Sequence, residues 1–389
     1  MVGNIEEDLE FCERMAVSTV LAHLLHLQLR GISIDGFQAS TDKKDDGAYG
    51  EIHLHFSSDV LNGISAVPRK LPVVPERQSP YLFKDNRILY RDKEVFGEAS
   101  IVPVPLPEKG KPRYLKGYSF PFLGTVNPYY ELRINPKNTG KCPGKCAFCH
   151  RGSSHRHSPE QHVGVVSPSK IIGSIVDMHG ADALRQISHV SVITELFGSE
   201  NRFLSYLEEL KDVLLKNGCK ADFSFRACSQ DVRSESGLRR LQSIIDSDRY
   251  SFTLEVFSER RKIMGGYKGL SLAGVESILM IAKRVGFREI KLNYVAGIDS
   301  LQSFQDGVQR FRRAGIFDTV GLSILTAFYP DQLQLRNPDA WRLSYYVEIL
   351  KTLNDACISI YEPTCFEMGY PVQFLQPDLP WMRLNEGIQ

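Results

Sequence analysis

The residues with the most chemistry per unit length in this chain are Cys142-Pro143-Gly144-Lys145-Cys146-Ala147-Phe148-Cys149, a C-x3-C-x2-C run. Three thiols on so short a loop can converge on one metal centre. A structural zinc ion asks for four ligands in a closed tetrahedron. Zinc would therefore need His150, His155 or His157 to complete the set. A [4Fe-4S] cluster takes one ligand per iron, so Cys142, Cys146 and Cys149 would leave one iron open, and an open metal position is where chemistry can happen. A chance grouping of thiols is the third reading.

This spacing, with Phe148 just before the last cysteine, resembles the cluster loop of the radical SAM superfamily. The resemblance covers roughly residues 126–330; it is specific at the cysteine loop and loose elsewhere. It implies two cofactors, a [4Fe-4S] cluster and S-adenosyl-L-methionine, the latter chelated by the open iron through its amino and carboxylate groups. An electron from the reduced cluster then cleaves the sulfonium, usually to a 5′-deoxyadenosyl radical that abstracts hydrogen from a substrate.

The same resemblance suggests roles for other residues. Gly198-Ser199-Glu200-Asn201 is similar to the Gly-Gly-Glu-Pro segment that faces the methionine ammonium, with Ser199 in place of the second glycine and Asn201 in place of the proline. Glu195 is a rival carboxylate for that ammonium. Alternatively, Ser199 or Asn201 simply caps a helix. Glu255 looks like the acidic residue that hydrogen-bonds the ribose in the biotin synthase-like branch, with Ser258 assisting; the competing reading is a salt bridge to Arg260 or Arg261. Arg226 suits the methionine carboxylate or an anionic substrate group by bidentate pairing, or a salt bridge with Asp222 or Glu255. Gly297 would let adenine approach the backbone, and Phe148 is a second adenine neighbour. His150, Arg151, His155, Arg156, His157 and His162 read as a solvated polar loop, and Lys141, Lys145 and Arg151 would offset the charge of an anionic cluster.

These residues need a scaffold. Short apolar runs predict strands at 130–134, 189–193, 222–227, 250–257, 289–295 and 319–325. Helical stripes fall between them. Ser167-Pro168 caps a helix bearing Ile171, Ile172, Ile175 and Val176. Leu207, Leu210 and Leu214 stripe the next, then a helix covers 238–245. Val275, Ile278, Leu279 and Ala282 mark a helix that ends at Gly286, and Leu301, Phe304, Val308 and Phe311 one that Gly315 ends. Asn337-Pro338 caps a sixth helix carrying Trp341, Tyr345, Ile349 and Leu353. Six strand–helix repeats predict a parallel sheet. The expected class is α/β, a partial (β/α)6 TIM-like barrel over 126–354, with an N-terminal α+β appendage over 1–125 and an irregular C-terminal extension or lid over 355–389. In the appendage, one helix is expected over 5–29, a polar loop at 42–46 and a strand at 51–56. No G-x-G-x-x-G or phosphate loop is present.

At 389 residues with 42% hydrophobic and 24% charged positions, the composition is that of a globular chain. A net charge of +1 gives no global drive toward nucleic acid or anionic membrane. No run is apolar enough to span a bilayer, and the N-terminus lacks the features of a secretory signal, so the expected location is the cytoplasm. Of eight cysteines, Cys12, Cys219, Cys228, Cys357 and Cys365 read as free buried thiols. The expected partners are a small-molecule substrate and an electron donor such as flavodoxin or ferredoxin. The alternatives are radical modification of RNA or a peptide, and a zinc- or cluster-stabilised binding protein.

Overall fold

The computed structural model describes residues 5–15, 19–35, 52–56, 70–73, 79–97, 99–103, 115–119, 131–134, 136, 142–149, 165–185, 187–220, 224–245, 248–325, 327 and 330–360. The histidines after the cysteine loop, the polar loop at 42–46, the side chain of Cys228, and residues 361–389 of the C-terminal extension, with Cys365, lie outside the described residues.

The N-terminal part holds two helices, α1 (Ile5–Met15) and α2 (Thr19–Arg30), where the apolar periodicity predicts one. β1 (Ser33–Ile34), β4 (Tyr81–Lys84), β5 (Arg87–Tyr90) and β6 (Lys93–Phe96) form one small sheet, and β2 (Ile52–Phe56), β3 (Lys70–Val73) and β7 (Ala99–Pro103) another. The turns of the first sheet carry Asp85, Asn86, Arg91 and Asp92 at positive φ.

The large sheet is built from β8 (Leu115–Ser119), β9 (Glu131–Ile134), β10 (His189–Ile193), β11 (Ser224–Cys228), β12 (Arg249–Glu255), β13 (Glu289–Ala296), β14 (Thr319–Ile324) and β15 (Ser359–Ile360), in strictly consecutive order. β9 to β15 run parallel, and β8 pairs antiparallel with β9. The six expected strands are all present, with one further strand at each edge. The sheet therefore reaches beyond the expected 126–354 core at both ends.

Consecutive order places the crossover helices on one face. These are α3 (Pro168–His179), the short α4 (Asp182–Arg185), α5 (Glu200–Lys216), α6 (Glu235–Ile245), α8 (Leu272–Val285), α9 (Leu301–Arg313) and α10 (Leu343–Asp355), while α7 (Arg260–Lys268) packs at the strand ends instead. Val190, Phe225, Phe252, Leu292 and Leu322 share one apolar cluster with Ile171, Leu207, Leu241, Leu279, Phe304 and Ile349. Along the strands burial alternates, and the other face carries Ser191, Arg226, Ser251, Thr253, Lys291, Asn293 and Ser323. A parallel sheet covered by helices on both faces would be apolar throughout. This alternation leaves a polar concave face, as in a partial barrel.

Local signals set the helix ends. Ser167, Ser271 and Ser300 accept from the N–H three residues on, and Gly286 closes α8 at φ 121°. Two differences from the sequence reading stand out. The expected sixth helix is a 3-10 turn (Pro338–Trp341, capped by Asn337) followed by α10. α7 is an additional helix that the periodicity missed.

Candidate functional site

The cysteine loop follows β9, at the edge of the sheet where its parallel strands end. Between Cys142 and Cys149 the backbone makes two turns, the second closed by Cys149 N–H to the Cys146 carbonyl at 3.1 Å. α7 presses against it. Ala147 N–H donates to the Ile263 carbonyl at 2.7 Å, and Cys146 Sγ lies 3.9 Å from the Met264 carbonyl oxygen. Gly265 sits at φ 72°, and a Cβ there would collide with the Gly144 carbonyl oxygen. From the other side, buried Gln332 donates through Nε2 to the carbonyls of Ala147 (3.0 Å) and Cys149 (3.4 Å).

Cys146 is buried, with Cys142 and Cys149 half-exposed. A Cβ at Gly144 would lie 3.4 Å from Cys142 Sγ and 3.6 Å from Cys146 Sγ, so the two thiols flank this glycine. Among the described residues, no three His, Cys, Asp or Glu side chains gather at the spacing of a single metal ion. An iron–sulfur cluster takes one thiolate per iron, so its ligands stand apart. Val256, Ile263, Met264, Val295, Ile298 and Leu325 pack with Cys146, Phe148 and Cys149 to form an apolar wall.

Beside Gly144 of the cysteine loop lies an ion pair. Lys268 Nζ and Glu255 Oε1 are 2.7 Å apart, with side chains 13% and 14% exposed. Burial opposes the Lys268 charge, but Glu255 and then Cys146 outweigh it and raise its pKa. Burial pushes the Cys146 thiol up to about 12; Lys268 counters this, while Glu255, Cys149 and Cys142 add to it. Glu255 sits at φ 68°, where the pairing of β12 with β13 shifts register.

Several expected site residues have partners. Glu255 pairs with Lys268, not with Arg260 or Arg261. Buried Arg260 donates instead to the carbonyls of Leu254, Val256 and Leu270. Gly198, at φ 72°, faces the cysteine loop, its virtual Cβ 3.9 Å from Pro143. Ser199 caps α5 by accepting from Arg202 N–H. Glu200 turns to the start of α6. It accepts from Arg233 N–H (2.6 Å), Ser234 N–H (2.9 Å) and the Ser234 hydroxyl (2.5 Å). Burial opposes its ionisation, yet those bonds hold its pKa below the ordinary value. The Ser258 hydroxyl donates to Asp299. Gly297 is buried at φ 104° beneath the Tyr346 hydroxyl, Leu325 and Ala340, so what that glycine admits is the chain's own packing. Arg226 is half-buried on the concave face beside Ser191. Cys12 and Cys219 are buried as expected, whereas Cys357 is exposed, at φ 52° beyond the end of α10.

No family model matches the chain, and no curated protein does. Solved structures do. Coproporphyrinogen III oxidase (HemN) from Escherichia coli, described as a radical SAM enzyme, is 14% identical with a TM-score of 0.38, covering 49% of this chain and 44% of its own. The FeFe-hydrogenase maturase HydG from Carboxydothermus hydrogenoformans is 15% identical with a TM-score of 0.43, covering 65% and 56%. Streptococcus suis SuiB bound to S-adenosylmethionine is 17% identical with a TM-score of 0.40, covering 60% and 50%. This chain spans about half the length of these proteins. Among the described residues, no helix is long and apolar enough to cross a membrane.

Four residues escaped the sequence reading. Lys268 and Gln332 lie far along the chain from the loop they contact. Asp231 accepts from Phe197 N–H (2.7 Å), Gly198 N–H (2.9 Å), the Ser229 hydroxyl (3.0 Å) and the Tyr267 hydroxyl (3.0 Å). Asp299 accepts from Phe257 N–H (2.7 Å) and Ser258 N–H (2.9 Å). The two aspartates use one device. Each follows the end of its strand by three residues and grips the backbone after an earlier strand. That shared offset was the signal available in the sequence.

Proposed function

We propose that this chain is a radical SAM enzyme that acts on a small molecule held at the concave face of its parallel sheet. One observation carries the reading: three thiols on one loop stand where the strands end, backed by an apolar wall, beside a polar concave face. The donor set fits a [4Fe-4S] cluster with one open iron. When bound there with S-adenosyl-L-methionine, such a cluster supplies reductive cleavage of the sulfonium and, from it, a hydrogen-abstracting 5′-deoxyadenosyl radical.

The rest is the work of the chain. Cys142, Cys146 and Cys149 would each give up a proton and hold one iron; burial pushes the Cys146 thiol up to about 12, so binding there must displace a tightly held proton, which the Lys268 charge eases. Lys268 places a positive charge behind those thiolates. Phe148, Val256, Val295, Ile298 and Leu325 keep water from the loop. Glu255 offers a carboxylate to ribose hydroxyls while Lys268 fixes its position. Asp231 holds the Phe197–Gly198 turn against Pro143, a backbone that would bind the methionine end of S-adenosyl-L-methionine. Arg226, Ser251, Lys291 and Asn293 orient polar groups of the substrate. The reducing electron comes from a donor such as flavodoxin or ferredoxin.

The test is anaerobic. The protein is reconstituted with iron and sulfide and reduced; S-adenosyl-L-methionine is added and nucleoside products are measured. A variant with Cys142, Cys146 and Cys149 all changed to alanine runs beside it. Four irons per chain and 5′-deoxyadenosine from the wild type alone are expected. Zinc with neither iron nor sulfide would sink the proposal.

A further inference from the structure

Away from the cysteine loop, α1 and α2 bury a second group of charged side chains against β4 and β5. Asp8 and His26 are 2% and 0% exposed, and Asp8 Oδ2 meets His26 Nε2 at 2.7 Å. His23 Nδ1 lies 3.1 Å from the Tyr81 hydroxyl, and its ring packs against Tyr81, Tyr90 and Phe96. One turn beyond His26 on α2 comes Arg30. Its Nε and Nη2 are both sealed from solvent, and neither has a hydrogen-bond partner. His26 Nδ1, on the same helix, is likewise buried without one.

The two Arg30 nitrogens form a single edge of the guanidinium, the fork that takes oxygens of a carboxylate or phosphate side by side. In two other described arginines that edge is filled. Arg240 Nε and Nη2 reach Glu208 at 2.7 and 2.5 Å, and Arg310 Nε and Nη2 reach Glu276 at 2.9 and 2.6 Å. Around Arg30 no carboxylate oxygen reaches the fork, and Glu6 Oε2 is itself buried without a hydrogen-bond partner. Asp8 Oδ2 is with His26, and Glu6 Oε1 is with Arg91 and with the Tyr90 hydroxyl at 3.5 Å. Burial lowers the Arg30 pKa, and neighbouring Tyr81, Tyr90, Asp8 and Glu6 only partly counter it. Buried polar groups in native proteins are satisfied almost without exception, and an orphan points to a water or ligand.

We infer that Arg30 is the anchor of a binding site for a small oxyanion, the carboxylate or phosphate group of a free small molecule, in the N-terminal part of the chain. The Arg30 fork takes two oxygens of the anion. The Tyr81 and Tyr90 hydroxyls lie near enough to act on the Arg30 charge. The site shares no residue with the cysteine loop, so it stands or falls separately from the reaction proposed above.

The full-length protein is titrated with sodium acetate and with inorganic phosphate at constant ionic strength, following Tm and heat of binding. At least one of the two is expected to bind one per chain and raise Tm. Arg30→Lys keeps the charge and loses the fork, and is expected to weaken binding at least ten-fold. The variant lacking Cys142, Cys146 and Cys149 is expected to bind as the wild type does. Hydrogen–deuterium exchange on the wild type locates the site without any variant, with slower exchange expected over 19–30 and 81–90 when the anion is present. The inference is overturned if neither anion binds, if Arg30→Lys binds as tightly as the wild type, or if protection falls elsewhere. Should Arg30→Lys fail to fold, the exchange footprint decides.

Discussion

At the scale of single residues, Glu255 holds a backbone conformation that side-chain-bearing residues rarely adopt, at the point where β12 slips register. Strain of roughly 1–3 kcal/mol persists only where the surroundings fix it. Here the Lys268 ammonium does the fixing. Lys268→Met leaves a buried carboxylate alone and should cost about 3 kcal/mol in denaturant unfolding at neutral pH. A loss under about 1 kcal/mol, the range of exposed pairs, would refute the role. The Lys268 pKa is raised in the folded state, so the pair's contribution is complete below the ordinary lysine value and is lost as pH rises through the raised one. Asp231→Ala strands two backbone N–H groups and should destabilise by about 2 kcal/mol. It should also lower affinity for S-adenosyl-L-methionine, measured by equilibrium binding to the reconstituted protein, because Gly198 loses its anchor. Unchanged affinity would remove the turn from the site. The sequence revealed the thiols because their spacing is local. It hid Lys268 and Asp231 because an acceptor's partner is chosen by the fold. For the same reason Glu200, which looks like a ligand-facing carboxylate along the chain, turns out to cap α6.

At the scale of elements, α7 is the link between the cysteine loop and the sheet. Its sequence, Arg260-Arg-Lys-Ile-Met-Gly-Gly-Tyr-Lys268, offers one short apolar pair and two glycines, so no helical stripe announces it. β12, β13 and β14 alternate visibly, whereas β15 has two residues and no period to read. Gly265 is where α7 meets the loop. Gly265→Ala adds a Cβ against the Gly144 carbonyl and a left-handed penalty of roughly 1–2 kcal/mol. Far-UV circular dichroism should be unchanged, while iron bound per chain after reconstitution falls to less than half. Full iron loading would show that the close approach is dispensable. The α1–α2 hairpin should respond to acid. Burial, with a smaller contribution from nearby His26, lowers the His23 pKa from 6.5 to about 4. Between those values the unfolded chain binds the extra proton, so stability is complete above about 6.5 and falls as pH drops toward 4. His23→Phe should flatten the dependence of Tm on pH across that window, and an unchanged slope would rule out His23 as its source.

At the scale of the whole molecule, the hairpin belongs to two cores at once. Cys12, Ala22, Leu25 and Leu29 join the apolar cluster that packs the helices onto the large sheet. Ile5, Leu24 and Leu27 join a second cluster with Tyr81, Ile88 and Phe96. Glu7 also reaches Arg342, just before α10, at 2.7 Å. Two cores that share one pair of helices cannot lose either side without uncovering the other, so unfolding should be a single transition. Leu24 and Leu25 are adjacent and both fully buried, yet they face different cores. Leu25→Ala and Leu24→Ala should each cost about 2–5 kcal/mol. The discriminating measurement follows denaturation by far-UV circular dichroism and by tryptophan fluorescence, since Trp341 packs against the barrel-side cluster. If the hairpin couples the cores, both probes shift together in both variants. If Leu24→Ala moves the dichroism curve and leaves the fluorescence curve in place, the N-terminal part unfolds by itself, and an anion bound at Arg30 would then stabilise only that part.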